Sequence, residues 1–528
     1  MRKYRFVAMG LLGFIAVVSG GWLQQSRNRP SSDAISRSRL FDEIVSHVAQ
    51  YYVDSLSEAD LYDMAIDGML AQLNDPYTNF LREAEFSDLT ISTTGNYGGI
   101  GISIETKDGW VTVVTTFADK PGERAGIRPG DQIGEIDGAS ARGWTARRAS
   151  QLLRGEAGTP VTVGIRRAGV PDQLAFTLTR ERIHVSSVDG AMMLRPGVGY
   201  LKLVSVTDVS AGEMSGALAH LESQGAESLI LDLRGNPGGV LNQGVALADL
   251  FLDSGAVVVE TRGRAPGATR TYRASEPQRW KTMKLVVLVN GFTASAAEIV
   301  SGALQDHDRA LVIGTPSFGK GVAYLVFPLT DKEAVSVTSS RWYTPVGRSI
   351  DRSRERSRHP SVASQAADSS EDTARDSVHY SFGGRLLGGG GGIQPDIQLP
   401  DTLSESEQDF ARTMGTAVQD YLNAVTQYAR ELQGQNRITS PEFRVTRTML
   451  RELLERVRDR GIEMPDSMWT RAASLIARQL GWELARYNFG REVELRRRAS
   501  DDIQVQRAIA LLTQSSTMSD LLALADSP

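Results

Sequence analysis

The pattern of apolar and polar residues changes several times along the chain. The first change lies at the start, where Arg2, Lys3 and Arg5 precede an uninterrupted uncharged run over residues 6–23. A run of this length lies at the border between a signal peptide and a membrane-spanning helix. It predicts a signal-anchor or signal peptide over residues 1–25. Because no clean cleavage motif follows, we favour an uncleaved anchor, with the rest of the chain on the extracytoplasmic (periplasmic) side.

Apolar residues at helical spacing follow and predict an N-terminal helical region over residues 33–92. Leu40, Ile44 and Val48 share one face of a first helix, and Ala65 and Met69 share a face of a second. Nothing in this region suggests catalysis. The two helices are interpreted as a packing or dimerisation arm.

Short strand-like runs with turn glycines occupy residues 95–182. A glycine-rich loop before a strand edge presents consecutive N–H groups, which can hold a terminal carboxylate while a peptide adds as a further strand. The alternative is that these glycines serve only tight turns. We favour a peptide-binding loop formed by Tyr97, Gly98, Gly99, Ile100, Gly101 and Ile102.

Strands and helices alternate over residues 183–350, which is typical of an α/β core. The apolar strand at residues 228–233 ends in a turn that contains Gly238 and Gly239. Glycines let a backbone N–H approach a bound carbonyl closely, as an oxyanion hole requires. A later apolar strand ends at Asn290, and Ser295 then opens a helix. A serine there lies beside unpaired N–H groups and suits a nucleophile, but it can equally be a simple helix cap.

Composition restricts the choice of a base for Ser295. The chain has no cysteine, which excludes a thiol nucleophile and disulfides, and of its 6 histidines only His307 lies nearby in the sequence. Arginine cannot release its proton, whereas a desolvated lysine can. Lys320 lies between two glycines at the entry to an apolar strand, where desolvation is plausible, although an ordinary turn lysine is the alternative.

A rival nucleophile lies just before Lys320. Ser317 and Lys320 form an S-x-x-K motif, as in penicillin-binding acyltransferases. That motif requires a helical turn, which Pro316 and Gly319 disfavour. We therefore favour Ser295.

The remaining sequence adds no chemistry. With 58 basic and 63 acidic residues the net charge is −5, so a nucleic-acid partner is not expected. No metal site and no cofactor is predicted. Residues 351–381 are rich in Ser, Arg and Asp and predict a disordered insertion. Residues 382–400 are interpreted as a closing strand of the core, and residues 402–528 as a C-terminal helical domain with helix starts at Pro441 and at Asp466 or Ser467.

Together these motifs resemble the C-terminal processing peptidases, also called tail-specific proteases. The resemblance extends from Leu40 to Pro400. It is carried, in order, by LNDPYTNFL, YGGIGI, AGIRPGD, LLRGEAGTPVTV, LILDLRGNPGG, TASAAEIVSGALQD, FGKG and YTPVGRSI. It implies a multidomain α+β protein: an N-terminal anchor and helical arm, a PDZ β-domain over residues 95–182, an α/β ClpP/crotonase-like protease core, and a C-terminal helical domain.

The resemblance also implies a serine endopeptidase with a Ser-Lys mechanism. Ser295 would be the nucleophile and Lys320 the general base, at the serine-to-lysine spacing of the family. The oxyanion hole would use the Ala296 N–H with Gly238 or Gly239, and Glu298 and Asp306 would be supporting acids. Expected partners are protein or peptide substrates with apolar C-termini, the membrane through the anchor, and either a second copy of the chain or a regulatory adaptor.

One position departs from the family. The family usually has Gln four residues after the lysine, and this chain has Tyr324. An even offset along a strand keeps Tyr324 on the face of Lys320, so its hydroxyl is predicted to hydrogen-bond the amine in place of the glutamine. An apolar contact is the alternative. A catalytically weak or silent PDZ scaffold at the outer face of the membrane therefore stays open as a second function.

Overall fold

The computed structural model describes residues 32–107, 109–167, 169–352, 378–389, 391–400 and 404–525. The predicted signal-anchor over residues 1–25 lies outside the described residues, as does most of the predicted disordered insertion. Within the described part of the chain, no helix is both long and apolar enough to cross a membrane. The chain divides into two compact units, residues 1–81 with 334–337 and residues 82–333 with 338–528.

The described residues of the first unit form two helices and one short strand. Helix α2 begins with a capping box between Ser57 and Asp60, which explains its start. Several apolar side chains of the predicted faces, such as Ile44 and Met69, are exposed. The elements are α1 (Ser32–Tyr51), α2 (Glu58–Ala71) and β1 (Asn79–Leu81), whose antiparallel partner is residues 334–336.

The second unit begins with helix α3 (Glu83–Thr94), which the sequence pattern grouped with the N-terminal helices. This grouping is wrong, and the reason is a set of tertiary contacts. Asp88 of α3 pairs with Arg147 and Arg154 at 3.5 and 3.2 Å, and the Asp208 N–H donates to the carbonyl of Thr93 at 2.8 Å. Local periodicity could not reveal these partners.

A small antiparallel sheet follows α3. Its strands run in the order β3-β4-β5-β7-β8, with β6 beside β5, so β3 is an edge strand, and helix α5 lies against it. Strand β2 (Asn96–Gly99) pairs separately with β9 (Glu181–His184). The other elements are β3 (Ile102–Lys107), β4 (Trp110–Thr116), α4 (Pro121–Arg124), β5 (Gln132–Ile136), β6 (Ala139–Ser140), α5 (Ala146–Leu153), β7 (Pro160–Arg166) and β8 (Leu174–Thr179).

The central sheet has the order β10-β11-β12-β15-β16-β21, parallel except for the antiparallel pair β10–β11. Its middle strands are buried on both faces, which explains their continuous apolar runs. The elements are β10 (Val188–Arg195), β11 (Val198–Leu203), α6 (Ser210–Ser223), β12 (Ser228–Asp232), α7 (Leu241–Asp249), β13 (Val257–Arg262), β14 (Arg270–Arg273), β15 (Lys284–Val289), α8 (Ala296–Asp306), β16 (Leu311–Gly314) and β21 (Ile397–Gln398).

A second sheet contains β13, β14, β17 (Val322–Pro328) and β18 (Ala334–Tyr343). A short hairpin, β19 (His379–Tyr380) with β20 (Leu386–Leu387), includes the last residues of the predicted disordered insertion, so that prediction is wrong for residues 379–380. The hairpin is held by tertiary contacts: Phe382 stacks on His307 at 4.5 Å, and Arg385 pairs with Asp308 and Asp396.

The helices over residues 405–489 pack around a core that includes Tyr421, Tyr428 and Trp469. The last three helices pack against the central sheet instead, with Val505 and Leu521 in one core with Val286. The helix start predicted at Pro441 is wrong. The helix begins at Arg447, because the Thr446 side chain caps it and Arg497 binds the carbonyls of Pro441 and Phe443. The helices are α9 (Glu405–Met414), α10 (Val418–Gly434), α11 (Arg447–Asp459), α12 (Asp466–Arg471), α13 (Ala473–Phe489), α14 (Arg491–Asp501), α15 (Ile503–Gln514) and α16 (Met518–Ala523).

Candidate active site

Ser295 lies at the sharp turn between β15 and α8, in a strained backbone conformation. Its φ is 55° and its ψ is −119°. The other non-glycine residues with positive φ in the described chain are all Asn or Asp, which tolerate that region. A serine held in a disfavoured conformation is typical of a nucleophile presented on a strand-to-helix turn. The strain favours a chemical role over a simple cap.

Ser295 also takes part in a capping box with Glu298: its N–H donates to Glu298 Oε2 at 2.7 Å, and its side chain faces the Glu298 N–H. The Ser295 hydroxyl makes no cap hydrogen bond. The Glu298 N–H, which the Ser295 side chain faces in this capping box, donates to the Ser295 carbonyl oxygen at 2.8 Å. The hydroxyl therefore stays available, at the positive end of the α8 dipole.

Glu298 joins the serine turn to the lysine loop. Its carboxylate is fully buried (0% exposed). One oxygen, Oε2, accepts from the Ser295 N–H at 2.7 Å and from the Lys320 N–H at 3.0 Å. The other, Oε1, accepts from the Gly319 N–H at 2.7 Å and from the Ser317 hydroxyl at 2.5 Å. A single side chain thus fixes the backbone of both candidate catalytic residues.

The electrostatics of Glu298 follow from this position. Burial raises the pKa of its carboxyl above the ordinary value, and the four donors act in the opposite direction. All four partners donate a proton, so the ionised carboxylate is the form that satisfies them.

Lys320 is partly buried and contacts Tyr324 through the ring face. Its Nζ lies 4.8 Å from the centroid of the Tyr324 ring, a cation–π distance. The residues do share a strand side, as the even offset predicted, but the contact found is with the ring rather than the predicted hydroxyl. Burial raises the pKa of the Tyr324 hydroxyl, so the ring is neutral at physiological pH. A neutral ring face attracts an ammonium more than an amine.

Two backbone N–H groups beside Ser295 are candidates for an oxyanion hole. Gly238 has φ 86°, and a Cβ there would lie 2.8 Å from the Ser295 Cβ, so only glycine allows this approach. Its own N–H already donates to Asn236 Oδ1 at 2.8 Å. By contrast, the N–H groups of Gly239 and Ala296 donate to no acceptor among the described residues. The choice between the two glycines therefore favours Gly239.

Asn236 connects the glycine turn to the serine turn, a role that the sequence reading missed. Its side chain is fully buried and binds the Leu203 carbonyl at 2.9 Å as well as the Gly238 N–H. Its own carbonyl accepts from the Ala294 N–H at 2.9 Å. The signal available in the sequence was its position inside the Gly-Asn-Pro-Gly-Gly turn, where a buried amide with several partners fixes a loop.

Asp306 and His307 lie at the other end of α8. A helix of this length separates its ends by about 16 Å, so neither residue reaches Ser295 through the helix. Asp306 forms a fully buried ion pair with Arg348 and accepts from the Val346 N–H at 3.1 Å. His307 binds the Val257 carbonyl at 2.7 Å. Asp306 thus supports the loop after β18, and His307 is not placed to serve Ser295.

Ser317 is fully buried and already engaged. Its hydroxyl donates to Glu298 and accepts from the Ile393 N–H at 2.6 Å. The segment from Ser317 to Lys320 is not helical, as Pro316 and Gly319 indicated. These contacts contradict the rival assignment of Ser317 as a nucleophile.

The predicted peptide loop lines a groove of about 230 Å³ beside the edge strand β3. The groove is walled by Tyr97 and residues 99–102 of the loop and by Leu153 of α5. Gly98 lies behind this wall, against the backbone of Gly155, where a Cβ would come within 1.9 Å of the carbonyl oxygen. The loop, the strand edge and the helix therefore meet as peptide addition requires.

Family comparisons identify the chain. The model for peptidase family S41 matches residues 197–355, a PDZ domain matches residues 118–167, and the N-terminal domain of the activating protease CtpB matches residues 21–84. A carboxy-terminal-processing protease of Bartonella bacilliformis is 37% identical over 314 residues, which cover 59% of this chain and 71% of that protein. The chain belongs to the C-terminal processing proteases of family S41.

A second relative supports this assignment. The carboxy-terminal processing protease CtpA of Bacillus subtilis is 32% identical over 346 residues, covering 66% of this chain and 72% of that protein. The solved photosystem II D1 C-terminal processing protease is 29% identical and covers 71% of this chain and 96% of its own, with a TM-score of 0.35. The predicted family, the multidomain α+β fold and the function as a serine-type C-terminal processing protease are confirmed, and a silent PDZ scaffold is not favoured.

Proposed function

We propose that this C-terminal processing protease uses Ser295 as its nucleophile and Lys320 as its general base. The observation that carries the proposal is the single oxygen of Glu298 that binds both backbones, next to the strained Ser295. No thiol is present in the chain, and the nearest histidine in sequence binds elsewhere.

The reaction follows from these placements. The neutral amine of Lys320 takes the proton of the Ser295 hydroxyl as its oxygen attacks the scissile carbonyl carbon. The N–H groups of Ala296 and Gly239 stabilise the oxyanion. Lys320 then returns the proton to the leaving amine as the peptide C–N bond breaks. Water, activated by the same amine, hydrolyses the acyl-enzyme.

Substrate selection is proposed to use the groove beside β3. A protein tail adds to this edge as an antiparallel strand, and the N–H groups of residues 99–102 bind its terminal carboxylate. The terminal side chain enters the groove between Ile100, Ile102 and Leu153, which is why an apolar C-terminus is expected. The uncharged run at residues 6–23 supports a membrane-anchored or exported protein with an extracytoplasmic body.

Active-site labelling tests the nucleophile. A biotinylated aryl phosphonate, which reacts with activated serines, is expected to modify Ser295 alone, as located by peptide mass spectrometry. The Ser295→Ala variant should take up no label, and heat-unfolded protein serves as the control for non-specific reaction. An adduct on Ser317 would overturn the assignment.

The contact between Lys320 and Tyr324 makes a separate prediction. The ring face stabilises the ammonium by about 0.5–1 kcal/mol, which disfavours the amine that the reaction needs. In Tyr324→Gln the acid limb of the kcat/KM profile should therefore move to lower pH by about half a unit. Tyr324→Phe keeps the ring and should retain the wild-type profile. If the acid limb moves in Tyr324→Phe as it does in Tyr324→Gln, the hydroxyl rather than the ring sets the pH profile.

A further inference from the structure

A second cavity, of about 950 Å³, lies between the PDZ domain and the C-terminal helices. The PDZ side contributes residues of β3 and β4 and the turn at residues 128–131, and the other side contributes α10, α13 and the start of α14. None of the candidate catalytic residues lines it. Ser103 lines both this cavity and the peptide groove, so the two spaces adjoin at strand β3.

The cavity carries an excess of positive charge. Its two aspartates are already paired, Asp131 with Arg167 at 2.7 Å and Asp189 with Arg491 at 2.6 Å. Arg128 and Arg430 form no ion pair within the described part of the chain. The arginine cavity, as we call it, is lined by Arg128, Arg167, Arg430, Arg486 and Arg491.

Arg430 is, with Arg128, one of the two arginines of this set that form no ion pair among the described residues. Its guanidinium lies over the Tyr487 ring at 4.9 Å and so close to Gly130 that a Cβ there would be 2.7 Å from Nη1. Its Nε and Nη2 are buried with no acceptor among the described groups. Buried guanidinium nitrogens without an acceptor are costly, and a carboxylate bound in the cavity would supply a counter-charge to this partly buried arginine.

The register of the PDZ sheet determines which part of a bound tail reaches this charge. Ser103 and Thr115 are cross-strand partners, and both line the arginine cavity. Successive side chains of a strand point to opposite faces, and directly opposite residues of paired strands share a face. If the terminal side chain of a tail enters the apolar groove, its penultimate side chain points to the other face, and so does the side chain two residues further upstream.

We propose that the arginine cavity binds acidic side chains of the substrate tail, at the penultimate position and two residues before it. The preferred substrate class is then a protein that ends in an apolar residue with Glu or Asp at these alternate positions. This proposal rests on the proposed recognition of tails by the PDZ groove.

Peptide binding to the full-length Ser295→Ala protein tests the proposal. Three fluorescent decapeptides end in the same alanine: one has Glu at the two alternate positions, one has Gln there, and one has both Glu residues shifted upstream by one position. Fluorescence anisotropy should give about fivefold tighter binding for the in-register Glu peptide. The preference should shrink as the salt concentration rises from about 0.05 M to 0.3 M.

Three variants locate the effect. Arg430→Gln should remove the preference for the in-register Glu peptide. Arg128→Gln, at an exposed side chain without an ion pair, should reduce this preference. The Arg128 variant keeps the test valid if Arg430→Gln fails to fold. Arg142→Gln, an exposed arginine of the same domain outside the cavity, is the matched control and should leave the preference unchanged. The proposal would be overturned if the three peptides bind equally, or if the shifted Glu peptide binds as tightly as the in-register Glu peptide. It would also be overturned if the preference survives in both Arg430→Gln and Arg128→Gln.

The same three peptides with amidated C-termini separate this proposal from the proposed recognition of tails by the PDZ groove. If the free-acid peptides bind equally and amidation abolishes binding, tail recognition stands and the arginine cavity has no role. If amidation changes nothing, the proposed tail recognition fails, and the acidic preference fails with it.

Discussion

Replacing Lys320 by alanine is expected to lower kcat for cleavage of an unfolded protein substrate by about 10³-fold or more, with little change in tail binding. The reason is that, among the described residues, neither other candidate base is available to Ser295: His307 binds the Val257 carbonyl, and Glu298 is fully engaged by donors. General-base catalysis alone contributes about 10² to 10⁴ in rate, and the nucleophile depends on it.

Two further variants refine this experiment. Lys320→Arg keeps the positive charge but cannot accept a proton, so it should be as inactive as alanine. Lys332→Ala, at an exposed lysine after β17, is the matched control and should be fully active. Cleavage rates are measured by gel electrophoresis or with a fluorogenic peptide substrate, and the Ser295→Ala variant gives the background rate. Activity of Lys320→Ala within tenfold of wild type would rule out the Ser-Lys mechanism.

The second large effect is expected at Glu298. Glu298→Gln places an NH₂ group where the carboxylate accepts N–H and O–H donors, so at least one donor loses its partner. The lysine loop then moves relative to Ser295, and a displacement of about 1 Å is enough to cost about 10²-fold in rate. The fall should appear in kcat and leave KM nearly unchanged, because none of the partners of Glu298 lines the peptide groove.

The chain itself supplies a matched control for Glu298. Glu407 is also a buried glutamate at the third position of a helix, and it binds the N–H of the capping Ser404 at 2.9 Å. Glu407→Gln is expected to lower thermal stability without changing kcat. If both variants lose stability and neither loses kcat, Glu298 is only a structural residue.

The pH dependence of Glu298 has opposite signs for activity and for stability. Because burial raises its pKa in the folded protein, the carboxylate is protonated at a higher pH than an exposed glutamate. Activity should therefore fall as the pH falls through this raised value, since the protonated form no longer accepts all four donors. A raised folded-state pKa means that this group adds stability below its unfolded-state pKa and loses that contribution as the pH rises through the folded-state value. Acid inactivation at this site should thus be reversible and occur while circular dichroism still shows a folded protein.

Much of the site could be anticipated from local sequence. The positions of Ser295, Lys320 and the glycine pair follow apolar strands, and the ends of neighbouring parallel strands meet at one edge of a sheet. The need for glycine at position 238 is likewise local, because the turn requires a positive φ. The predictions that differ from the structure depend on tertiary contacts. They are the hydrogen bond from the Tyr324 hydroxyl to Lys320, the helix start at Pro441, and the grouping of α3 with the N-terminal arm.

By itself the sequence determined the order of the elements, the family, and the residue types available for chemistry, since these depend on periodicity, turn residues and composition. Only the tertiary structure decided that Ser295 is held in a strained conformation, that Ser317 is buried, and that Glu298 binds the serine and lysine loops together. It also decided that Lys320 meets the face of Tyr324. The physical reason is that each of these facts depends on a distance between segments far apart in the chain, which packing of the sheet and of α8 establishes and which no local pattern encodes.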